Sequence, residues 1–305
     1  MASEPQATKA PHAATDPQTA TNPQTATNTQ TAPDPRTTTP PGTRRDTGPR
    51  WLLWVTTPLI LAAFIGGWKL YTILFDIGEL ILPPPEDVWS ALVELLGQPM
   101  IYQATYVTFY ETMVGFLIAV VVGVTLGIVL GKVRSLERVL SPFLVATQVV
   151  PKVAIVPLLL LWFGFGLTSK IFMAAIISFF VMTQNTILGI RSIEPGHRDL
   201  MRVIQAPWWK RVVSLDIPAA LPAVLTGIEL GIVFAITGAI VGEYLGGDEG
   251  LGALATVMLA SLRTDQLFAV VIIMTLLGFL LYAVVAGIRR FAIPWHESSG
   301  RATSL

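Results

Sequence analysis

Six segments of this sequence stay apolar over about twenty residues or more, the length at which an α-helix rising 1.5 Å per residue spans roughly 30 Å of hydrocarbon. They run from about Leu52 to Leu74, Val107 to Leu130, Val139 to Phe163, Ile171 to Ile190, Ala219 to Leu245 and Leu267 to Ile288. Hydrophobic residues make up 52% of the 305 and charged residues only 13%, against about a quarter charged in soluble domains. The chain therefore reads as an all-α membrane protein with six transmembrane helices. Pro151, Lys152 and Pro157 interrupt the third segment, so its helix is expected to break there.

The positive charges set a sidedness, because Lys and Arg near span ends are retained on the cytoplasmic side. With the N-terminus inside, sixteen of the twenty fall on that side: Lys9, Arg36, Arg44, Arg45, Arg50, Lys132, Arg134, Arg138, Arg191, Arg198, Arg202, Lys210, Arg211, Arg289, Arg290 and Arg301. The first external loop, residues 75–106, has no Lys or Arg and carries Asp76, Glu79, Glu86, Asp87 and Glu94. This predicts an even number of spans in a plasma membrane, both termini in the cytoplasm, and residues 191–218 on the cytoplasmic side.

Residues 1–50 are a different material. The runs "TDPQTA", "TNPQTA" and "TNTQTA" follow one another from Thr15 to Ala32, then comes a Pro/Thr-rich stretch. Such a sequence holds too little apolar surface to offset the entropy of ordering it. Residues 1–50 are read as a disordered cytoplasmic tail and 51–305 as one six-span domain. The tail lacks the apolar core of a secretory signal, so no cleavage is expected.

Several function classes drop out. Lys+Arg and Asp+Glu balance at 20 each, which gives no field toward nucleic acid. The absence of cysteine removes disulfides, thiol nucleophiles and Cys-type metal sites. No HExxH or GxSxG occurs, and His197 stands alone in a basic loop, so neither catalytic residues nor a metal site are assigned. "GIVLGKV" approaches a phosphate loop, but its first glycine sits one residue too close and Val133 stands where Ser/Thr is needed. The chain is not expected to hydrolyse ATP or to bind a cofactor. Gly123, Gly127 and Gly131, and again Gly238, Gly242 and Gly246, recur at intervals of four. That spacing suits close helix packing, within one bundle or along a dimer seam.

The passage "DLMRVIQAPWWKRVVSLDIPAALP", residues 199–222, is charged and aromatic yet lies between two spans. Leu200, Val203, Ile204 and Trp208 follow helical spacing, with Asp199, Arg202 and Gln205 on the other side. Asp199 is expected to cap or charge-stabilise the helix start, Pro207 to stop it, Trp208 to open a second short helix and Pro218 to close the passage. Such an element serves either as an interfacial anchor or as a docking surface for a cytoplasmic partner.

The same passage resembles the signature of binding-protein-dependent ABC importer permeases: EAA, three residues, Gly, nine residues, then Ile, any residue, Leu, Pro. Asp199, Leu200 and Met201 stand at EAA, Gln205 at the glycine, Leu215 at the isoleucine, and Ile217 and Pro218 at Leu-Pro. Both alanines and the glycine are substituted. "LPPPEDVWSAL", "PKVAIVPLLLLWFGFG", "PAALPAVLTG" and "GEYLGGDEGLG" are similar to passages of the nitrate/sulfonate/taurine branch, so the resemblance covers about residues 80 to 290. It implies a type I importer-like fold with a cytoplasmic coupling helix between spans four and five. Asp199, Leu200, Met201, Arg202, Gln205, Ala206, Pro207, Trp208, Trp209 and Pro218 would carry the coupling to an ATPase. The implied partners are a second permease copy in a homodimer, a cytoplasmic ABC ATPase dimer that uses ATP and Mg, an extracytoplasmic solute-binding protein and the bilayer. The implied cargo is a small polar or anionic solute of sulfonate, taurine, nitrate, pyrimidine-precursor or aromatic-acid type.

Ionisable groups within spans cost about 2.5–3.5 kcal/mol at the centre on insertion scales and so face protein or water. Glu111, Lys152 and Glu229 are such groups. Together with Gln148, Gln184 and Asn185 they are candidate linings of a translocation path. The alternative is that Lys152 pairs with Glu229 or Glu111 as a structural tie. The rival function is an ion-coupled secondary transporter, which commonly shows an internal repeat; no convincing repeat is found among the spans.

Overall fold

The computed structural model describes residues 50–293, except the side chains at 50–54, 134, 137, 141, 144, 145, 147 and 148. The expected disordered tail thus lies outside the described residues, Arg50 apart. The chain divides after Thr56: ahead of that point only the opening of a first helix is described, and the body starts at Thr57.

Every described element is helical. In order these are α1 (Arg50–Leu74), α2 (Pro85–Leu96), α3 (Pro99–Lys132), α4 (Arg134–Val149), a 3₁₀ turn at Lys152–Ile155, α5 (Val156–Phe163), α6 (Leu167–Arg191), α7 (Pro195–Val203), α8 (Trp208–Arg211), a π turn at Val212–Asp216, α9 (Ile217–Gly246), α10 (Leu251–Ala260) and α11 (Thr264–Ala292). Five helical stretches among the described residues are long and apolar enough to cross a membrane: Val55–Leu74, Pro99–Lys132, Leu167–Arg191, Trp208–Gly246 and Thr264–Ala292.

The expected break in the third segment is present, and no single helix covers it. Its sequence divides between α4, of 16 residues, and α5, of 8, each short of the roughly 20 needed to cross. Proline supplies the reason. The ring of Pro151 disfavours helical backbone in the residue before it, and Val150 is accordingly extended, with ψ 125°. Pro157, in contrast, sits in the first turn of α5, where its missing N–H costs nothing.

The fifth span is corrected at its start, since the helical path begins at Trp208 and not at Ala219. Pro218 does not close the segment before it, because α8, the π turn and α9 form one uninterrupted helical path. A proline ring inside an α-helix clashes with the carbonyl four residues back. The i→i+5 turn just ahead of Pro218 widens the helix there and absorbs that clash.

Helix α6 lies between α3 and α9. In lipid no hydrophobic force drives helices together, so backbone approach over small residues supplies the contact. A methyl group added at Gly115 would meet Ala174 Cβ at 2.6 Å, and one at Gly131 would meet Ile190 Cβ at 2.8 Å. On the α9 side, Gly227 faces Asn185 Cβ at 2.6 Å and Gly238 faces Ala174 Cα at 2.8 Å. The glycine intervals thus serve packing within the bundle. Phe116, Ala119, Met182, Ile232, Ala235, Val270 and Met274 fill the core around these contacts. At the border of the bundle, Lys69 and Glu86 pair at 2.9 Å, and the ammonium's hydrogen bond holds the Glu86 carboxyl below the usual carboxylate range.

Gly127 tests this packing, since an added Cβ would lie 2.5 Å from Thr186 Cβ and 2.9 Å from the Thr183 carbonyl oxygen. Gly127→Val is expected to cost about 1–3 kcal/mol through overpacking, read as a lowered thermal unfolding midpoint in detergent. Gly66→Ala, where nothing lies within 4 Å, does not lower the midpoint.

Candidate functional site

The segment between α6 and α9 folds as a pre-bent elbow. Helix α7 opens at Pro195, its first residue, four positions ahead of Asp199. Asp199 is therefore not a cap: it lies within the helix and pairs with Arg202, one turn on, at 2.8 Å. The bend also differs from the expectation that Pro207 would make it. The Gln205 N–H donates to the Arg202 carbonyl and the Ala206 N–H to the Met201 carbonyl, both at 3.0 Å. Gln205 takes φ +48°. This is a Schellman ending with glutamine in the left-handed position that glycine usually fills. The position that carries glycine in the signature is thus the point of bending even where glycine is absent. Pro207 instead stands in extended conformation at the head of α8, and the Arg211 Nε–H donates to the Ala206 carbonyl at 2.9 Å, closing the corner.

The elbow buries Ala206 and leaves large apolar groups outside. Val203 is 80% exposed and Trp208 77%, with Leu200, Ile204 and Trp209 also exposed. A cluster of this kind marks a contact surface. Through the π turn it is continuous with α9.

The candidate path residues scatter. Glu111 is fully buried in α3, and Glu229 is held by Arg289 of α11. Lys152 therefore pairs with neither and makes no ion pair among the described residues; it sits partly exposed on the 3₁₀ turn. Gln184 is exposed on α6, and the neighbouring Asn185 donates to the Val181 carbonyl at 2.8 Å. The side chain of Gln148 lies outside the described residues.

A second polar constellation, at the far ends of the same helices, escaped sequence reading. Lys170, in the first turn of α6, is fully buried and lies 3.4 Å from Glu111 Oε1 while its Nζ donates to the Glu249 carbonyl at 3.1 Å. The ion pair is too skewed to count as a hydrogen bond, so both Glu111 oxygens lack a hydrogen-bond partner. Glu243, near the end of α9, is close enough to Glu111 for the two charges to act on each other. Its carboxylate accepts from the Thr108 hydroxyl at 2.6 Å and from the Gly252 N–H at 2.7 Å. Thr108 in turn accepts from the Leu251 N–H at 2.9 Å. The "GEYLGGDEGLG" passage thus becomes geometry: Glu243 anchors the N-terminus of α10. Gly250, at φ +104°, fits because a side chain there would collide with the Glu243 carboxylate. The signal that could have found this clasp is the rule that ionisable residues at membrane depth need partners.

Known proteins share this architecture and sequence. Residues 119–295 match the family described as "Binding-protein-dependent transport system inner membrane component". The chain is 33% identical over 241 residues to the riboflavin transport system permease protein RibX of Chloroflexus aurantiacus, covering 79% of this chain and 90% of that protein. It is 30% identical over 255 residues to the putative aliphatic sulfonates transport permease protein SsuC of Bacillus subtilis, covering 84% and 92% respectively. Among solved structures, an inward-facing conformation of the MetNI methionine ABC transporter aligns with 63% of this chain and 97% of its own at a TM-score of 0.54 and 18% identity, a likeness of fold.

Two substitutions test the site geometry. Lys170→Met leaves buried carboxylates without a countercharge and is expected to cost about 3–5 kcal/mol. Adding Glu111→Gln, which removes the carboxylate lacking hydrogen-bond partners, should restore part of the lost unfolding midpoint. Gln205→Gly relieves the left-handed backbone and is expected to raise the midpoint by up to about 1 kcal/mol in stability, whereas Gln205→Val lowers it.

Proposed function

This chain belongs to the family of binding-protein-dependent transport system inner membrane components, and from that membership we propose how it works. It is a multi-pass membrane permease subunit of an ATP-driven ABC importer, as its relatives are. The elbow of α7 and α8 is the coupling helix, seated in a cleft of a separate ATPase subunit that binds ATP and Mg. Asp199, Leu200, Met201, Arg202, Gln205, Ala206, Pro207, Trp208 and Trp209 form it, and Pro218 marks the joint at which it passes into α9. The observation that carries this reading is the exposed apolar cluster on a hydrogen-bonded bend continuous with a helix long and apolar enough to cross a membrane.

Two copies of the permease enclose one route, and an ATPase dimer binds their elbows. Both termini face the cytoplasm, in keeping with the distribution of Lys and Arg. At the opposite end, the acidic loop 75–106 and exposed Asp248 and Glu249 receive a solute-binding protein. Lys152, Gln184 and Asn185 supply polarity along the route, with Gln148 beside them, while Glu111 and Glu229 brace the helices. The cargo is a small polar or anionic solute. Relatives of similar identity are named for riboflavin and for aliphatic sulfonates, which supports assigning the choice of cargo to the binding protein.

Reconstitution with the ATPase and binding protein tests this reading. Aromatic groups in a desolvated groove are strong contributors to binding, so Trp208→Ala with Trp209→Ala should weaken ATPase association by tenfold or more and abolish ATP-driven uptake. Uptake that continues with ATP depleted and ion gradients intact would favour an ion-coupled carrier instead.

A further inference from the structure

At the arginine-rich end of the bundle a cleft of about 250 Å³ opens between the last turns of α3 and α6, the helix α7 and the π turn leading into α9. Lys132, Arg198, Arg202, Arg211 and Asp216 line it. Retention of positive charge on one side of the membrane explains why cations gather at this end. It does not explain why four of them converge on one concavity.

The way they are held is informative. Lys132 pairs with Asp216 at 3.0 Å, and Arg202 pairs with Asp199, which stands outside the cleft. Arg198 and Arg211 have no carboxylate partner among the described residues. Each is pinned instead by a backbone carbonyl: an Arg198 terminal N–H donates to Ile190 O at 2.7 Å and the Arg211 Nε–H to Ala206 O at 2.9 Å. A guanidinium has five N–H donors, so each keeps most of its fork free, already oriented and with its charge uncompensated. That is the arrangement that suits two-pronged recognition of a phosphate.

Depth adds a second constraint. Lys132 ends one helix long and apolar enough to cross a membrane and Ile190 lies one residue from the end of another, so the cleft lies at the end of the bundle where the spans leave the apolar layer on the Lys/Arg-rich side.

We infer that this cleft binds a phosphate-bearing anion, with Arg198 and Arg211 as its forks. The phosphate comes from an anionic phospholipid of the adjoining leaflet or from a free phosphate-type anion. Either occupant ties α7 to α8 across the corner and so stiffens the elbow. The inference rests on the permease reading only for its place in the bilayer; an import assay could fail while binding to the purified chain persists.

The test is the unfolding midpoint of the full-length chain in neutral detergent, titrated with phosphatidylglycerol, phosphatidylcholine or inorganic phosphate. Phosphatidylglycerol should raise the midpoint by roughly 3 °C near saturation, and phosphatidylcholine should not. In Arg198→Gln/Arg211→Gln the apparent affinity should fall by roughly tenfold or more, with Arg211→Lys intermediate, because it keeps the charge but loses the fork. A matching shift with inorganic phosphate assigns the site to a free anion, and a shift with phosphatidylglycerol alone assigns it to lipid. Equal effects of the two lipids without a response to phosphate, or an undiminished shift in the double variant, would overturn the inference. If the double variant does not fold, the single variants Arg198→Gln and Arg211→Gln take its place, and the comparison of lipids on the unaltered chain still decides. A response that arises only when the ATPase is added would mean an acidic protein segment fills the cleft, and that too would overturn it.

Discussion

A side chain that leaves lipid for the interior of a helix bundle exchanges one apolar surrounding for another, so α3, α6 and α9 must be joined by something other than the hydrophobic effect. Here the joining is backbone proximity: glycines on α3 and α9 face α6 at distances where even a methyl group would collide. The other features depend on that approach. It is what brings Lys170 of α6 within reach of Glu111 on α3 and puts Glu243 of α9 beside them.

The same three helices carry both polar constructions, one at each end. The clasp of Glu111, Lys170 and Glu243 joins them at one end and fixes the start of α10. At the other end α9 continues through a π turn into the elbow, while α6 leads into α7. A force on the elbow therefore reaches the membrane along two tightly packed helices whose far ends are pinned by charge. Buried ion pairs contribute little net stability but strongly penalise separation of their partners. Such a clasp resists loosening of the helices at the end away from the elbow.

Much of this was legible in the residues. Four of the six expected spans appear as single helices near the expected limits, because a run of apolar residues of that length has few alternatives. The third is split, as its prolines foretold, and the break falls at Pro151, while Pro157 merely opens α5. The fifth was cut short at Pro218 because a π turn, which rescues a proline, leaves no mark in hydrophobic spacing. Lys170 was missed by a single residue, the fourth segment having been started at Ile171. Glu243 lay inside a quoted passage, but its partners Thr108 and Gly252 are brought together by the fold alone. At the elbow, the residues grouped by helical spacing are divided by the bend, Leu200 and Val203 on α7 and Trp208 on α8. The conformation of Gln205 was beyond such reasoning, since an exposed glutamine gives no sign that its backbone will be left-handed.

The central claim is that this chain receives mechanical work through the elbow and passes it along α9. The most direct measurement inserts two glycines between Leu215 and Asp216, within the π turn, and follows ATP hydrolysis and cargo uptake together in proteoliposomes containing the ATPase and binding protein. The account predicts that the ATPase still docks and hydrolyses ATP while uptake is lost. Uptake that continues in step with hydrolysis across the broken helix would contradict it.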